Sequence, residues 1–238
     1  MNSKVHIAQV TLRGFVLLEH FRNGILIAKR ETKNIITNAG LAVISGLLIT
    51  DVSVNDFDEI AIGTGAVSGT ADSGNVGGTT TVDTERTEAE DYWNGATITY
   101  VTGSNAGAIR DITDFVAATA TITHDAFTNQ VVAGDQYKLS ARPTSTALLT
   151  EIAAGGGERR TAGNVTGSRQ QTTVPNDTAQ LVTTFTFTGA YGIDECGVFN
   201  DPAAGDMLCA TAFGDVNVVS GDTIQITWRV VSSFGGAS

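Results

Sequence analysis

Proline, lysine and cysteine are scarce in this 238-residue chain, which has three prolines, two cysteines and only four lysines, at Lys4, Lys29, Lys33 and Lys138. Two cysteines are too few for a disulfide framework. The chain must therefore hold together by burying a core, and it is long enough to do so. Basic charge is also short: 14 Lys and Arg stand against 25 Asp and Glu, for a net charge of −11. That balance excludes a nucleic-acid-binding face, which needs clustered cations. Long apolar runs are missing as well. The most apolar stretch, "GLAVISGLLIT" at 40–50, is too short and too glycine-rich to span a bilayer. The start, "MNSKVHIAQV", has no apolar core of signal-peptide length, so the expectation is a chain made and assembled in the cytosol, with no membrane partner.

What is present is glycine (27 residues), threonine, valine and isoleucine, with only 16% charged residues. Branched side chains suit a pleated, half-buried surface, so the chain reads as mainly β. Residues 4–36 read as two or three strands around Arg22-Asn23-Gly24, because Asn-Gly between apolar runs is a strong hairpin signal. One short helix is expected near 38–49, capped by Thr37 or Asn38, with Leu41, Ile44, Leu47 and Leu48 on one face. "FDEIAIGTG" at 57–65 is a strand entering a glycine turn. Residues 66–90 have almost no large apolar side chain and read as a loop. "GATITYVTG", "IRDITDFV", "ATATITHDAF" and "DQYKLSA" alternate like strands of a small antiparallel unit at 91–143. Residues 144–154 read as a short helix or a strand, and 155–173 as an arm or loop. The last third is strand after strand. The expected architecture is an antiparallel β-sandwich, jelly-roll-like, built from 1–90 and 144–238, with a small β module inserted at 91–143. Such a fold leaves open sheet edges that need cover, and oligomerisation is one cover.

One pattern occurs twice, as "VVAGDQYKLS" at 131–140 and "VVSGDTIQIT" at 218–227. Glycine takes positive φ without steric cost, and aspartate bonds nearby backbone. Gly134-Asp135 and Gly221-Asp222 therefore read as turns that admit a strand, and neither aspartate as a catalytic group.

The search for chemistry yields little. His6, His20 and His124 lack the spacing of a zinc site. No G-x-S-x-G elbow follows a strand. "GTGAVSG" at 63–69 lacks the Lys-Ser/Thr pair of a phosphate loop. Carboxylates cluster at Asp51, Asp56, Asp58 and Glu59, at Asp83, Glu85, Glu88, Glu90 and Asp91, and at Asp111 and Asp114, but none has calcium-loop spacing. No catalytic, cofactor-binding or metal-binding residue is expected. Tyr92 and Trp93 are the candidates for an aromatic glycan platform, against a plain turn anchored by aromatics. Trp228, alternating with Ile224 and Ile226, reads as core. Cys196 and Cys209 flank the turn "NDPAAGD". Two readings stay open for them, a pair of buried thiols or a cross-strand disulfide.

Taken in order, "NIITNAGLAVISGLL", "FDEIAIGTG", "STALLTEI", "IDECGVFND", "GDMLCATAF" and "VVSGDTIQITWRV" resemble a family of tailed-phage virion structural proteins of the tail-fibre, baseplate or head-decoration type. Asn34, Asn38, Gly40, Gly63, Gly65, Leu148, Glu151, Glu195, Gly197, Phe199, Asn200, Gly221 and Asp222 carry the resemblance, while Cys196 and Val198 depart from it. The segment 91–143 resembles a small β module of virion proteins, through Tyr92-x-Asn94-Gly95, Ile112-Thr113-x-Phe115 and Gly134-Asp135-x-Tyr137. The resemblance implies a non-enzymatic component of a tailed-virus particle. Such a component assembles in the host cytoplasm as a trimer or ring and attaches to other virion proteins at the tail, baseplate or fibre. Capsid decoration is the alternative, and a receptor- or glycan-binding module acting through the insertion is a second one.

Overall fold

The computed structural model describes residues 9–48, 55–153 and 155–235. The chain opens with a long hairpin, β1 (Gln9–Arg22) and β2 (Ile25–Lys33). Its turn is Asn23-Gly24, with φ of 51° and 76°. A two-residue turn of this hand requires positive φ at both positions, which is why Asn-Gly works there. A short β3 (Ile35–Ile36) leads into α1 (Asn38–Leu48). Thr37 caps the helix by accepting the Gly40 N–H at 3.0 Å, and its own hydroxyl is tied to the Met207 carbonyl. Val43 is buried and Ile44 packs on the core, whereas Leu41 is exposed. The inward face is therefore Gly40, Val43 and Ile44, turned from the face the apolar spacing suggested. Close approach decides it. A Cβ at Gly40 would lie 2.6 Å from the Leu208 carbonyl oxygen, so only glycine lets the helix sit this near the sheet.

After β4 (Glu59–Gly63) the chain enters a separate layer. It contributes β5 (Val67–Thr70), β6 (Thr80–Val82), β7 (Thr97–Tyr100), β8 (Ile109–Val116), β9 (Thr121–His124) and β10 (Gln136–Leu139). These six form one sheet in the order β5-β10-β7-β8-β9-β6. Two of its strands thus come from 66–90, where a loop was expected, and the sheet starts upstream of position 91. The reason is that β5 and β6 are short edge strands with few large side chains. They are held by backbone pairing to β10 and β9, which no side-chain pattern announces.

The remaining strands return to the main body: β11 (Thr166–Gln170), β12 (Thr178–Thr186), β13 (Tyr191–Phe199), β14 (Met207–Val218) and β15 (Thr223–Gly235). β11 lies inside the segment read as an arm; every one of its side chains is exposed, so it carries no apolar signal. Residues 144–150 form neither helix nor strand, and Glu151 makes a single bridge to Gly63. One sheet runs β11-β12-β15-β1-β2 and the other β3-β14-β13-β4, with every pairing antiparallel.

The molecule is thus mainly β, with antiparallel sheets in a sandwich and one short helix. Val16, Leu18, Phe185, Ile224, Ile226 and Trp228 of the five-stranded sheet face Ile60, Ile62, Cys196, Val198, Phe213 and Val216 of the four-stranded one. Trp228 is fully buried, as its alternation with Ile224 and Ile226 implied. The four-stranded sheet has a second apolar face, where Ile35, Ala61, Phe199, Met207 and Ala210 meet Ala141 and Leu148. The six-stranded layer has its own core around Trp93, Tyr100, Phe115 and Tyr137.

Gly40→Ala is expected to push α1 off β14 and to lower stability by about 1–3 kcal/mol, the usual cost of forcing extra volume into a packed contact. Thermal unfolding followed by circular dichroism checks this, and an unchanged Tm would show that the helix can shift at no cost.

Candidate functional site

The duplicated pattern is one turn built twice. In both copies the first valine is buried and the second exposed: Val131 at 0% against Val132 at 52%, and Val218 at 2% against Val219 at 46%. Gly134 has φ of 92° and Gly221 of 90°. Each aspartate carboxylate accepts the N–H three residues back, Asp135 from Val132 at 3.0 Å and Asp222 from Val219 at 3.1 Å. Each turn then pairs reciprocally with a neighbouring strand. Gly134 donates to Ala71 and Ala71 to Asp135; Gly221 donates to Phe187 and Phe187 to Asp222. Tyr137 and Leu139 after one turn, and Ile224 and Ile226 after the other, are fully buried.

Asp222 does more than its twin. Its carboxylate also receives Arg22 Nε at 2.9 Å, Arg22 Nη2 at 2.7 Å and His20 Nε2 at 2.9 Å. This ties the end of β1 to the start of β15. The Arg22 guanidinium, and after it His20 and the Val219 amide, outweigh burial and hold the Asp222 carboxyl well below the usual carboxylate range. His124 lies in the six-stranded layer, where its Nε2 meets Thr81 Oγ1 at 2.9 Å and Thr81 meets the Tyr100 hydroxyl at 2.7 Å. His6 and Asp51 fall outside the described residues.

Seven of the thirteen residues that carry the family resemblance, Gly63, Gly65, Leu148, Glu151, Glu195, Gly197 and Phe199, meet in one clasp. The Glu195 carboxylate is buried and accepts the N–H groups of Gly65 at 3.3 Å, Leu149 at 3.0 Å and Thr150 at 2.7 Å. It thereby fastens the 148–151 segment over the end of β4. A Cβ at Gly63 would lie 2.4 Å from Glu195 Oε1, and one at Gly65 would lie 2.4 Å from the Thr150 nitrogen. Gly197 leaves room for the Leu148 side chain. Arg160 bonds Glu151 at 3.2 Å and stacks 3.8 Å from the centre of the Phe199 ring. Asn200 closes the β13–β14 turn by accepting the Asp206 N–H at 2.7 Å. Nothing in the sequence spacing suggested contact among these residues.

A second junction joins the six-stranded layer to the sandwich. Lys138 of β10 donates to Asp194 at 2.7 Å and lies 2.9 Å from Asp215. Burial lowers the Lys138 pKa, but the two carboxylates outweigh it, and the ammonium is held above its ordinary value. The Thr99 hydroxyl bonds the Ala212 carbonyl at 3.2 Å, and Ala66 N–H bonds Asp194 at 3.1 Å. Sequence reading singled out neither Lys138 nor Asp194. A lone lysine on an alternating strand gives no sign that its partners lie on β13 and β14.

Trp93 is 2% exposed in the core of the six-stranded layer and offers no ring face to a sugar. Tyr92 is part-exposed, but Arg142 lies 3.8 Å over its ring and Trp93 meets it edge-on. The pair is therefore an aromatic anchor for the Asn94-Gly95 turn, and the platform geometry expected for glycan contact is not formed. Cys196 and Cys209 are free and fully buried. They are not opposite one another: Cys196 pairs with Thr211 and Cys209 with Val198. A diagonal offset of this kind separates the two residues by about 7–8 Å between Cα atoms, too far for a disulfide without backbone movement. Burial pushes both thiols well above their ordinary pKa.

The carboxylates Asp56, Asp58 and Glu59 line a cavity of about 490 Å³ with Gly163 and Pro202. Burial, and then the adjoining Asp58, push Glu59 up to about 7. Among the described residues no three His, Cys, Asp or Glu side chains converge as metal ligands, and no helix is long and apolar enough to cross a membrane. No family model, no curated protein and no solved structure matches the chain.

Two outcomes follow. Without reductant, a thiol reagent is expected to find no reactive cysteine in the native protein and two on unfolding; an unreactive unfolded protein would reveal a disulfide. Asp222→Asn should lower Tm at pH 7 by several degrees, because Arg22 and His20 lose their shared acceptor. A depressed carboxylate pKa contributes stability that is present above its unfolded value, about 3.9, and is lost as pH falls below it. The wild-type Tm should therefore fall more steeply than that of the variant between about pH 5 and pH 2. Parallel acid profiles would show that this carboxylate is not linked to folding.

Proposed function

We propose that this chain is a non-enzymatic structural component of a tailed-virus particle that assembles with copies of itself and attaches to other virion proteins. The observation that carries the reading is the clasp. Gly63, Gly65, Leu148, Glu151, Glu195, Gly197 and Phe199, picked out only by their resemblance to virion proteins, lie together around one buried carboxylate. A shared pattern has a physical reason to persist when its members hold one junction. Further support comes from the five-stranded sheet. Among the described residues neither of its edge strands pairs with a further strand, and most of β2 is exposed. Open edges of that length invite pairing unless an assembly covers them.

The role this implies is mechanical. The sandwich forms the assembling body, and the six-stranded layer, fixed through Lys138, projects from it. Attachment to tail, baseplate or fibre remains the leading placement, with decoration of the capsid shell as the alternative. The buried Trp93 weakens the reading of the insertion as a glycan-binding module.

Light scattering coupled to size exclusion, across salt and protein concentration, tests the proposal. A trimer or closed ring is expected, and three-fold symmetry would favour shell decoration while six-fold or twelve-fold symmetry would favour a tail ring. A monomer under every condition would overturn self-assembly.

A further inference from the structure

The β1–β2 hairpin differs in charge from the rest of the chain. Residues 9–33 hold five basic and two acidic residues, in a protein of net charge −11. Residues 67–141, the six-stranded layer and its ends, hold ten acidic and three basic residues. The two surfaces are therefore of opposite sign.

At the hairpin tip three consecutive aliphatic side chains face solvent: Ile25 at 67%, Leu26 at 45% and Ile27 at 47% exposure. Among the described residues β2 pairs with β1 alone, and its far edge meets no further strand, although the Lys33 carbonyl at its end accepts the Thr211 hydroxyl at 2.7 Å. Arg22 and Lys33 are engaged within the chain, by Asp222 and Asp111. Lys29 and Arg30 are exposed. Lys29 meets only the exposed Glu31, at 3.7 Å, and Arg30 bonds only the Lys29 carbonyl among the described residues.

The acidic counterpart is densest between β6 and β7, where 83–91 holds Asp83, Glu85, Glu88, Glu90 and Asp91. Asp83 accepts the Tyr137 hydroxyl at 2.6 Å, and Arg86 lies against Asp83 and Glu88. Glu85, Glu90 and Asp91 are exposed, with Glu90 also accepting the Ala117 N–H at 2.9 Å and Asp91 the Asn94 side-chain amide at 2.9 Å.

We propose that the β1–β2 hairpin of one copy docks on the acidic 83–91 loop of the next, with Lys29 and Arg30 against Glu85 and Glu90. The inference rests on the self-assembly reading and specifies its surface. A hairpin-to-loop contact is heterologous, and such contacts close into rings when the rotation permits.

The test uses two variants of the full chain, each with its fold checked by circular dichroism. Lys29→Glu/Arg30→Glu makes the hairpin acidic, and Glu85→Lys/Glu90→Lys makes the loop basic. Analytical ultracentrifugation should find the wild type associated at low salt and each variant alone weakened at least about tenfold, since surface charge pairs of this kind act mainly on encounter and register. Mixing the two variants should restore association, because each supplies the partner that the other needs. If the wild type associates and both variants associate equally well, this surface is wrong and self-assembly stands. If Glu85→Lys/Glu90→Lys alone behaves as wild type while the hairpin variant fails, the contact is not hairpin-to-loop. A wild type that stays monomeric at every concentration and salt overturns the assembly reading and this inference with it.

Discussion

The four-stranded sheet is buried on both faces, and most of the structure follows from that. All five side chains of β4 are buried, as are the last seven of β13 and the first seven of β14. On one side they meet the five-stranded sheet through Ile60, Cys196, Val198 and Phe213. On the other they need a second cover, which α1, the 141–152 segment and the six-stranded layer supply together. A strand buried on both sides cannot leave a polar group unpaired without a cost of order 1–3 kcal/mol. Asp194 and Glu195 sit in the middle of β13 and are nearly inaccessible. Each therefore needs partners from outside the sheet: Lys138 and the Ala66 amide for Asp194, and the amides of Gly65, Leu149 and Thr150 for Glu195. The junctions that join the parts of the molecule are the means by which two buried carboxylates are satisfied.

The duplicated turn separates a local solution from its tertiary use. Gly134-Asp135 and Gly221-Asp222 have the same φ region, the same back-bond to the residue three positions earlier and the same alternation of burial afterwards. Those properties belong to ten residues of sequence. Yet only Asp222 faces His20 and Arg22, because β1 runs beside β15, whereas Asp135 meets no basic side chain among the described residues. A reading of the repeat as architecture accounts for both copies, and the additional ion pair of one copy depends on which strand lies next to it.

Strands with strong alternation were legible, and strands without it were not. "IRDITDFV" coincides with β8, and Asn23-Gly24 marks the hairpin turn. β5, β6 and β11 went unread because they are short edge strands of mostly Ser, Gly, Thr, Arg and Gln, with a single Val in each of β5 and β6, and backbone pairing needs no particular side chain. The helix was legible by its length and cap, but its orientation was not, since Gly40 at the contact with Leu208 overrode the apolar stripe. Of the candidate site residues, Gly134, Asp135, Gly221 and Asp222 occupy turns. Sequence left Trp93 open between turn anchor and platform, because an aromatic beside a turn signal reads the same whether its ring points out or in; in the structure its ring is buried.

By itself, the sequence determined the β-rich class, the turn chemistry, the helix and the acidic character, all of which depend on neighbours within a few residues. The clasp around Glu195, the Lys138 junction, the burial of Trp93, the offset of Cys196 from Cys209 and the exposure of Ile25, Leu26 and Ile27 were decided only by tertiary structure. Each is a property of register or of which layer covers which face. A strand alternating Thr with Val has the same sequence signature whichever neighbour it meets.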